Sequence, residues 1–161
     1  MSRFGNEIRV TPSVFDRLID LDPRISEEPP KSHTASVNEL KQSVRRDLEW
    51  LLNTRCHTEA LDDRLEEAPR SVAFYGLPDF TGVSVKNHNE QKRMVREIEE
   101  ALKIFEPRFK NLKVTMEPVN HIDRQIRFRI EAILDIEPTP EPVVFDSVLQ
   151  SGSGTFSVAE G

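Results

Sequence analysis

Along the first third of the chain the apolar positions recur at helical spacing. Val14, Phe15, Leu18 and Ile19 make one apolar face, the pattern of a short amphipathic helix. Thr11 stands before it as a cap, Pro12 suits the first helical position, and the element ends near Pro23. Residues 22–34 are dominated by proline and charge without a period and read as a linker or mobile loop. A stronger stripe follows, with Val37, Leu40, Val44, Leu48, Leu51 and Leu52 at steps of three and four. Ser36 and Glu39 have capping-box spacing, so the pattern predicts a helix from about 37 to 54, with Arg45, Arg46, Asp47 and Glu49 across much of its opposite surface.

Residues 57–70 are polar and acid-rich, a loop with room for one helical turn. Ser71 to Tyr75 read as a short strand, broken by Gly76-Leu77-Pro78-Asp79. A third helix is predicted over about 89–105, capped by Asn89. Met94, Val95, Ile98, Ala101, Leu102 and Phe105 line one face, and Glu97, Glu99, Glu100 and Lys103 stay wet. Pro107 stops it by pushing residue 106 out of the helical region.

Beyond Pro107 the period changes to two. Leu112, Val114 and Met116 alternate with Lys113 and Thr115, and a turn is expected around Pro118–Asp123. Then Ile126, Phe128, Ile130, Ala132, Leu134 and Ile136 alternate with polar neighbours, a strand with one buried face. Pro138 to Pro142 read as a stiff turn, and Val143, Val144 and Phe145 begin another strand. Gln150 to Gly154 either turn a last hairpin into Thr155–Ala159 or begin a loose tail. Helices first and a mainly antiparallel sheet afterwards define an α+β fold. The expected organisation is an N-terminal helix and linker over 1–34, a main domain over 35–150, and a hairpin or tail over 151–161.

The chain has 161 residues, 22 Lys and Arg against 28 Asp and Glu, and a formal net charge of −6. That length suits one domain, and a mean hydropathy of −0.51 suits a modest core or a large partner interface. No apolar run approaches the ~20 residues of a membrane helix. Met1 to Val10 carry charge and lack the apolar stretch of a secretory signal. The one cysteine cannot form an internal disulfide, so a reducing cytoplasm is the expected compartment. A net acidic chain is a poor general nucleic-acid binder.

Most chemical signatures are missing. No glycine-rich phosphate loop or nucleophile elbow is present, and Ser151-Gly152-Ser153-Gly154 read as a flexible turn. His33, His57, His88 and His121 are scattered without metal-ligand spacing, and the adjacent Cys56 and His57 cannot share one face. The carboxylates lie mainly on wet helix faces or in the 57–70 loop. Two features stand out. Glu106-Pro107-Arg108 set two opposite charges around a rigid proline at the junction of helix and sheet, an arrangement suited either to charge-assisted partner contacts or to a simple helix stop. Between 108 and 131, Arg108, Lys110, Lys113, Arg124, Arg127 and Arg129 outnumber the acids. Arg127 and Arg129 fall on the strand face opposite Ile126, Phe128 and Ile130, where they fit an acidic protein surface or protect a sheet edge.

Several stretches carry a family resemblance. They are Pro12 to Leu18, Ser43-Val44-Arg45-Arg46-Asp47-Leu48-Glu49-Trp50-Leu51-Leu52-Asn53-Thr54-Arg55, Tyr75-Gly76-Leu77-Pro78-Asp79-Phe80 and Ile104-Phe105-Glu106-Pro107-Arg108-Phe109. In order and spacing, over roughly residues 10–150, they resemble the TssE proteins of bacterial type VI secretion systems, within the phage-tail gene 25 baseplate family, sometimes labelled lysozyme-like. The resemblance implies a non-enzymatic wedge subunit that connects a cytoplasmic baseplate, docked at an inner-membrane complex, to the contractile sheath and helps sheath polymerisation begin. It implies the wedge subunits TssF, TssG and TssK and the sheath proteins TssB and TssC as partners, with no cofactor, metal, nucleic acid or small-molecule substrate and no membrane insertion. The family's E-P-R motif, implicated in docking to the sheath, falls on Glu106, Pro107 and Arg108. Arg127 and Arg129 are then a candidate sheath- or wedge-facing surface, by charge and alternation alone. Trp50 reads as packing along its helix, and Arg45, Arg46 and Asp47 as either wedge contacts or internal ion pairs. The rival reading is a peptidoglycan hydrolase, which needs two carboxylates across a cleft long enough for several sugars. An unrelated adaptor or regulator is a third.

Overall fold

The computed structural model describes residues 10, 12–19, 23–24, 32–57, 64–80, 83, 87–117, 125–137, 139–150 and 153–161. The expected turn at 118–123, most of the 22–34 linker, residues 58–63 of the acidic loop, the expected cap at Thr11 and the first half of the expected turn at Ser151-Gly152 lie outside these residues.

Three helices precede four strands: α1 Val14–Leu18, α2 His33–Asn53, α3 His88–Phe105, then β1 Phe109–Met116, β2 Gln125–Leu134, β3 Glu141–Gln150 and β4 Thr155–Glu160. The strands form one antiparallel sheet in sequence order, β1-β2-β3-β4. The helices-then-sheet reading holds, and the C-terminal residues form the last hairpin.

One face of the sheet is apolar. Ile126, Phe128, Ile130, Ala132 and Leu134 of β2 alternate inward, beside Val143, Phe145 and Leu149 of β3 and Phe156 and Val158 of β4. The apolar stripes of the helices cover this face, with α3 against β1 and α2 against β4. Val44, Leu48, Leu52, Met94, Ile98 and Leu102 are almost fully buried there. Each such side chain contributes about 1.5–3 kcal/mol relative to exposure, so this helix–sheet seam dominates the stability. The two-residue and helical periods thus identify most of the core contributed by α2, α3 and the sheet, while the apolar stripe of α1 stays exposed.

The element ends depart from the sequence expectations. α2 begins at His33, four residues early, because the Ser32 hydroxyl accepts from the Ala35 amide; Ser36 lies inside the helix and its hydroxyl bonds the Ser32 carbonyl. α1 is capped by Ser13, whose hydroxyl accepts from the Asp16 amide, so Pro12 stands before the cap. α3 is capped by Asn87 rather than Asn89. Ser, Asn and Thr crowd each of these starts, and backbone direction selects among them. β3 begins at Glu141 and takes Pro142 into the strand, opposite Ile133, where β4 no longer reaches.

Ser71–Tyr75 is not a strand. Ala68–Arg70 and Val72–Phe74 are two single turns of tight helix. Extended backbone resumes at Tyr75, and Leu77 forms a lone parallel bridge with Arg55. The Leu77 amide donates to the Thr54 carbonyl at 2.9 Å, and the Cys56 amide donates to the Leu77 carbonyl at 3.1 Å. Gly76 makes this approach possible: its φ is +117°, and a Cβ there would lie 2.4 Å from the Thr54 oxygen.

Candidate functional site

Glu106 ends α3 and Arg108 leads into β1, so the E-P-R sequence forms the corner between helix and sheet. Glu106 is buried. Arg108 lies back over it, donating from Nε and Nη2 to its two carboxylate oxygens, both at 2.5 Å. Pro107, without an amide hydrogen and with a fixed φ, directs the two side chains to the same side. Arg108 Nη2 also reaches Asp47 Oδ2 on α2 at 2.8 Å. The guanidinium therefore joins α3, β1 and α2. Burial opposes its charge, but the bonds to Glu106 and Asp47 outweigh that and hold it firmly protonated.

The network continues. Arg46 Nη2 donates to Asp47 Oδ1 at 2.9 Å and to Asp16 Oδ1 of α1 at 2.7 Å. The hydroxyls of Ser13 and Ser43 both donate to Asp16 Oδ2 at 2.6 Å. Burial raises the Asp16 pKa, but these three partners prevail and hold it at about 2. Above them the Arg46 guanidinium lies 5.1 Å from the ring centroids of both Phe15 and Trp50, which meet edge to face at 5.7 Å. α1 buries no residue of its own. Polar bonds and one aromatic cluster hold it on α2.

The corner opens into a cleft of 310 Å³. Leu48 and Leu51 form its floor, Tyr75 and Phe105 its wall, and Asp47, Arg108 and Ser13 its lip. The Tyr75 and Phe105 rings meet edge to face at 5.2 Å. Burial, with the nearby charges of Asp47 and Glu106, pushes the Tyr75 hydroxyl above its ordinary pKa.

Arg127 and Arg129 lie elsewhere, on the sheet face turned away from the helices. Arg129 pairs with Asp146 at 3.0 Å and Glu117 at 3.3 Å, while Arg127 makes no ion pair among the described residues. Arg129 stands opposite Thr115, whereas Arg108 borders Asp135. At about 3.3 Å per residue this separates them by roughly 20 Å along β2. The fold brings Glu106, Pro107 and Arg108 together with Asp47, and leaves the two strand arginines apart.

The sequence reading left the role of Arg46 and Asp47 open between wedge contacts and internal pairs; both make internal pairs. It quoted Asp16, Ser13 and Ser43 only within the resembling stretches and gave them no role at the site. The available signal was spacing, since Ser43, Asp47 and Trp50 share a helix face beside the apolar stripe. Trp50 is half exposed; it packs along its own helix under Arg46, as expected, and also meets Phe15 of α1.

The two edges of the sheet differ. The Asn53 amide donates to the Phe156 carbonyl at 2.9 Å and accepts from the Phe156 amide at 2.8 Å, standing in for a neighbouring strand. Arg45 and Arg55 bond the Val158 and Gly154 carbonyls. α2 thus closes the β4 edge. Among the described residues no side chain makes such bonds to the backbone of β1, the strand that the E-P-R corner begins.

The family model of baseplate wedge protein gp25 matches residues 38–139, well over half of the chain. The chain therefore belongs to the gp25 baseplate wedge family, whose members are structural subunits of phage-tail-like baseplates. The match spans most of α2 and all of α3, the E-P-R corner, β1 and β2. No curated protein and no solved structure matches it. No described helix is long and apolar enough to cross a membrane.

Proposed function

We propose that the chain is a TssE-type wedge subunit of a type VI secretion baseplate. In this reading it sits among TssF, TssG and TssK on the cytoplasmic side of an inner-membrane complex, and presents the E-P-R corner to the first ring of TssB and TssC sheath. The observation that carries the reading is the triple junction at Arg108. One guanidinium fixes the end of α3, the start of β1 and the middle of α2 in a single orientation. A subunit that templates a polymer needs such a rigid corner, because the entropy of ordering it is then not charged against docking. The corner also begins the sheet edge that α2 leaves uncovered, where an extended partner segment can add by backbone pairing. On the opposite face Arg127 offers a separate positive charge for an acidic wedge partner, beside Arg129, which would have to exchange Asp146 or Glu117 for that partner.

The hydrolase reading finds two carboxylates in the cleft, Asp47 and Glu106, but Arg108 is bonded to both. A hydrolase needs its two carboxylates free to face a sugar and a water, and here both are engaged by the same guanidinium. A cleft of 310 Å³ also lacks room for several sugars.

The test is reversal of Glu106 and Arg108, singly and together, scored by fluorescent sheath formation in cells with folding checked by circular dichroism. Loss of sheaths from folded protein is expected. Normal sheaths with both charges reversed would reduce the motif to a helix stop.

A further inference from the structure

Charge in the E-P-R network does not balance. Glu106, Asp47 and Asp16 supply three carboxylates, while Arg108 and Arg46 supply two guanidiniums. One negative charge is left over in a partly buried site. On the cleft side the surplus falls on Asp47 and Glu106, because Arg46 binds Asp47 on its far oxygen and turns toward Asp16, Phe15 and Trp50. A carboxylate has about four acceptor positions. Glu106 uses one on each oxygen, and Asp47 keeps a quarter of its side chain exposed. Beside these acceptors stand the Tyr75 and Phe105 rings and the exposed Pro107.

We propose that this cleft is a socket for a basic side chain, arginine in preference to lysine, carried by an otherwise apolar extended segment of an assembly partner. The inference rests on the reading of this corner as a docking site and adds the chemistry of what docks. A guanidinium placed at the lip bonds the exposed side of Asp47 and offsets the surplus charge of the site, with Glu106 held behind Arg108, and its plane stacks on Tyr75. The apolar neighbours of that arginine in the segment lie on Pro107, Phe105 and the Leu51 floor. An acidic or neutral side chain in the same place adds repulsion, or leaves the charge unmet.

The probe is a blocked Leu-Arg-Val tripeptide, titrated into the full-length ¹⁵N-labelled protein beside the same peptide carrying citrulline or glutamate. The arginine peptide should shift the amide resonances of Asp47, Tyr75 and residues 105–108 in a saturable way, with a Kd on the order of 1 mM. Citrulline, which keeps the shape and loses the charge, should bind at least about tenfold more weakly, and glutamate should move nothing. In Asp47→Asn the arginine peptide should also weaken about tenfold. Equal binding of the arginine and citrulline peptides, shifts confined to other surfaces, or no shift at ~10 mM would overturn the socket. The peptide comparison on the unmutated protein needs no variant to fold. Sheaths lost on reversing the E-P-R charges, with no peptide bound, would keep the docking corner and remove the socket. Normal sheaths after that reversal would remove the docking reading itself.

Discussion

Arg108 reaches Asp47 across 61 residues of sequence, with Nη2 2.8 Å from Oδ2, while the same nitrogen holds Glu106. Three elements that share little other polar contact are joined at one planar group. A buried pair of this kind adds little net stability when intact, but is costly to break on one side.

Arg108→Met should therefore destabilise the protein by about 3 kcal/mol, because Glu106 is then buried without a partner. Arg108→Lys should cost less in stability, since the charge is kept, but it cannot hold both Glu106 oxygens and Asp47 at once. Urea denaturation of both variants gives the comparison. Equal midpoints for wild type and Arg108→Met would refute the account of the corner.

Gly76→Ala is expected to cost about 3 kcal/mol or more, through a positive φ and a Cβ driven against the Thr54 carbonyl. It separates α2 from the Tyr75 wall of the cleft by breaking the Leu77–Arg55 bridge. Thermal unfolding should show a loss of several degrees. An unchanged melting temperature would mean that this bridge is dispensable.

Asp16 carries an acid dependence. Its folded pKa of about 2 lies below the ordinary value of 3.8. Its contribution is complete above 3.8 and is lost as pH falls toward 2, when the folded form is also protonated. Discounted for solvent screening at the edge of the network, the effect is about 1 kcal/mol. Stability measured between pH 5 and 2 should fall less steeply in Asp16→Asn, which also loosens α1. Parallel curves for the two proteins would contradict this.

Asn53→Ala should open the β4 edge. The Phe156 amide and carbonyl lose both partners, at about 1–2 kcal/mol, and the bare edge becomes available for pairing with a second chain. Sedimentation at rising concentration should show a monomeric wild type and a self-associating variant. A variant that stays monomeric would assign edge protection to Arg45 and Arg55 alone.

The core was legible because burial imposes a period. Phe128, Ile130, Leu48 and Ile98 all sit where alternation or helical spacing places them. Ends were less legible, since Ser32 and Ser36, or Asn87 and Asn89, are equally good caps in isolation. The tight turns at 68–74 mimic a strand by their apolar content, but their only long-range backbone bond among the described residues runs from the His57 amide to the Ala73 carbonyl, and the strand-like bridge comes later, at Leu77. Local sequence marked Glu106-Pro107-Arg108 as a charged helix-to-sheet corner because its members are adjacent. Asp47 and Asp16 were hidden because a charged residue on an amphipathic helix looks the same whether it meets water or an arginine from a distant element. The first helix misled in the opposite way. Its apolar residues imply burial, yet Val14 is 74% and Leu18 77% exposed, since the element is held by Asp16 and Phe15.

The most direct measurement is sheath formation in cells carrying the Glu106 and Arg108 reversals, with Arg108→Lys as the variant that best spares the fold. Each purified protein is checked by circular dichroism. The account predicts folded subunits and few or no sheaths in every case, Arg108→Lys included. Sheaths formed at the normal frequency by the doubly reversed protein would contradict it.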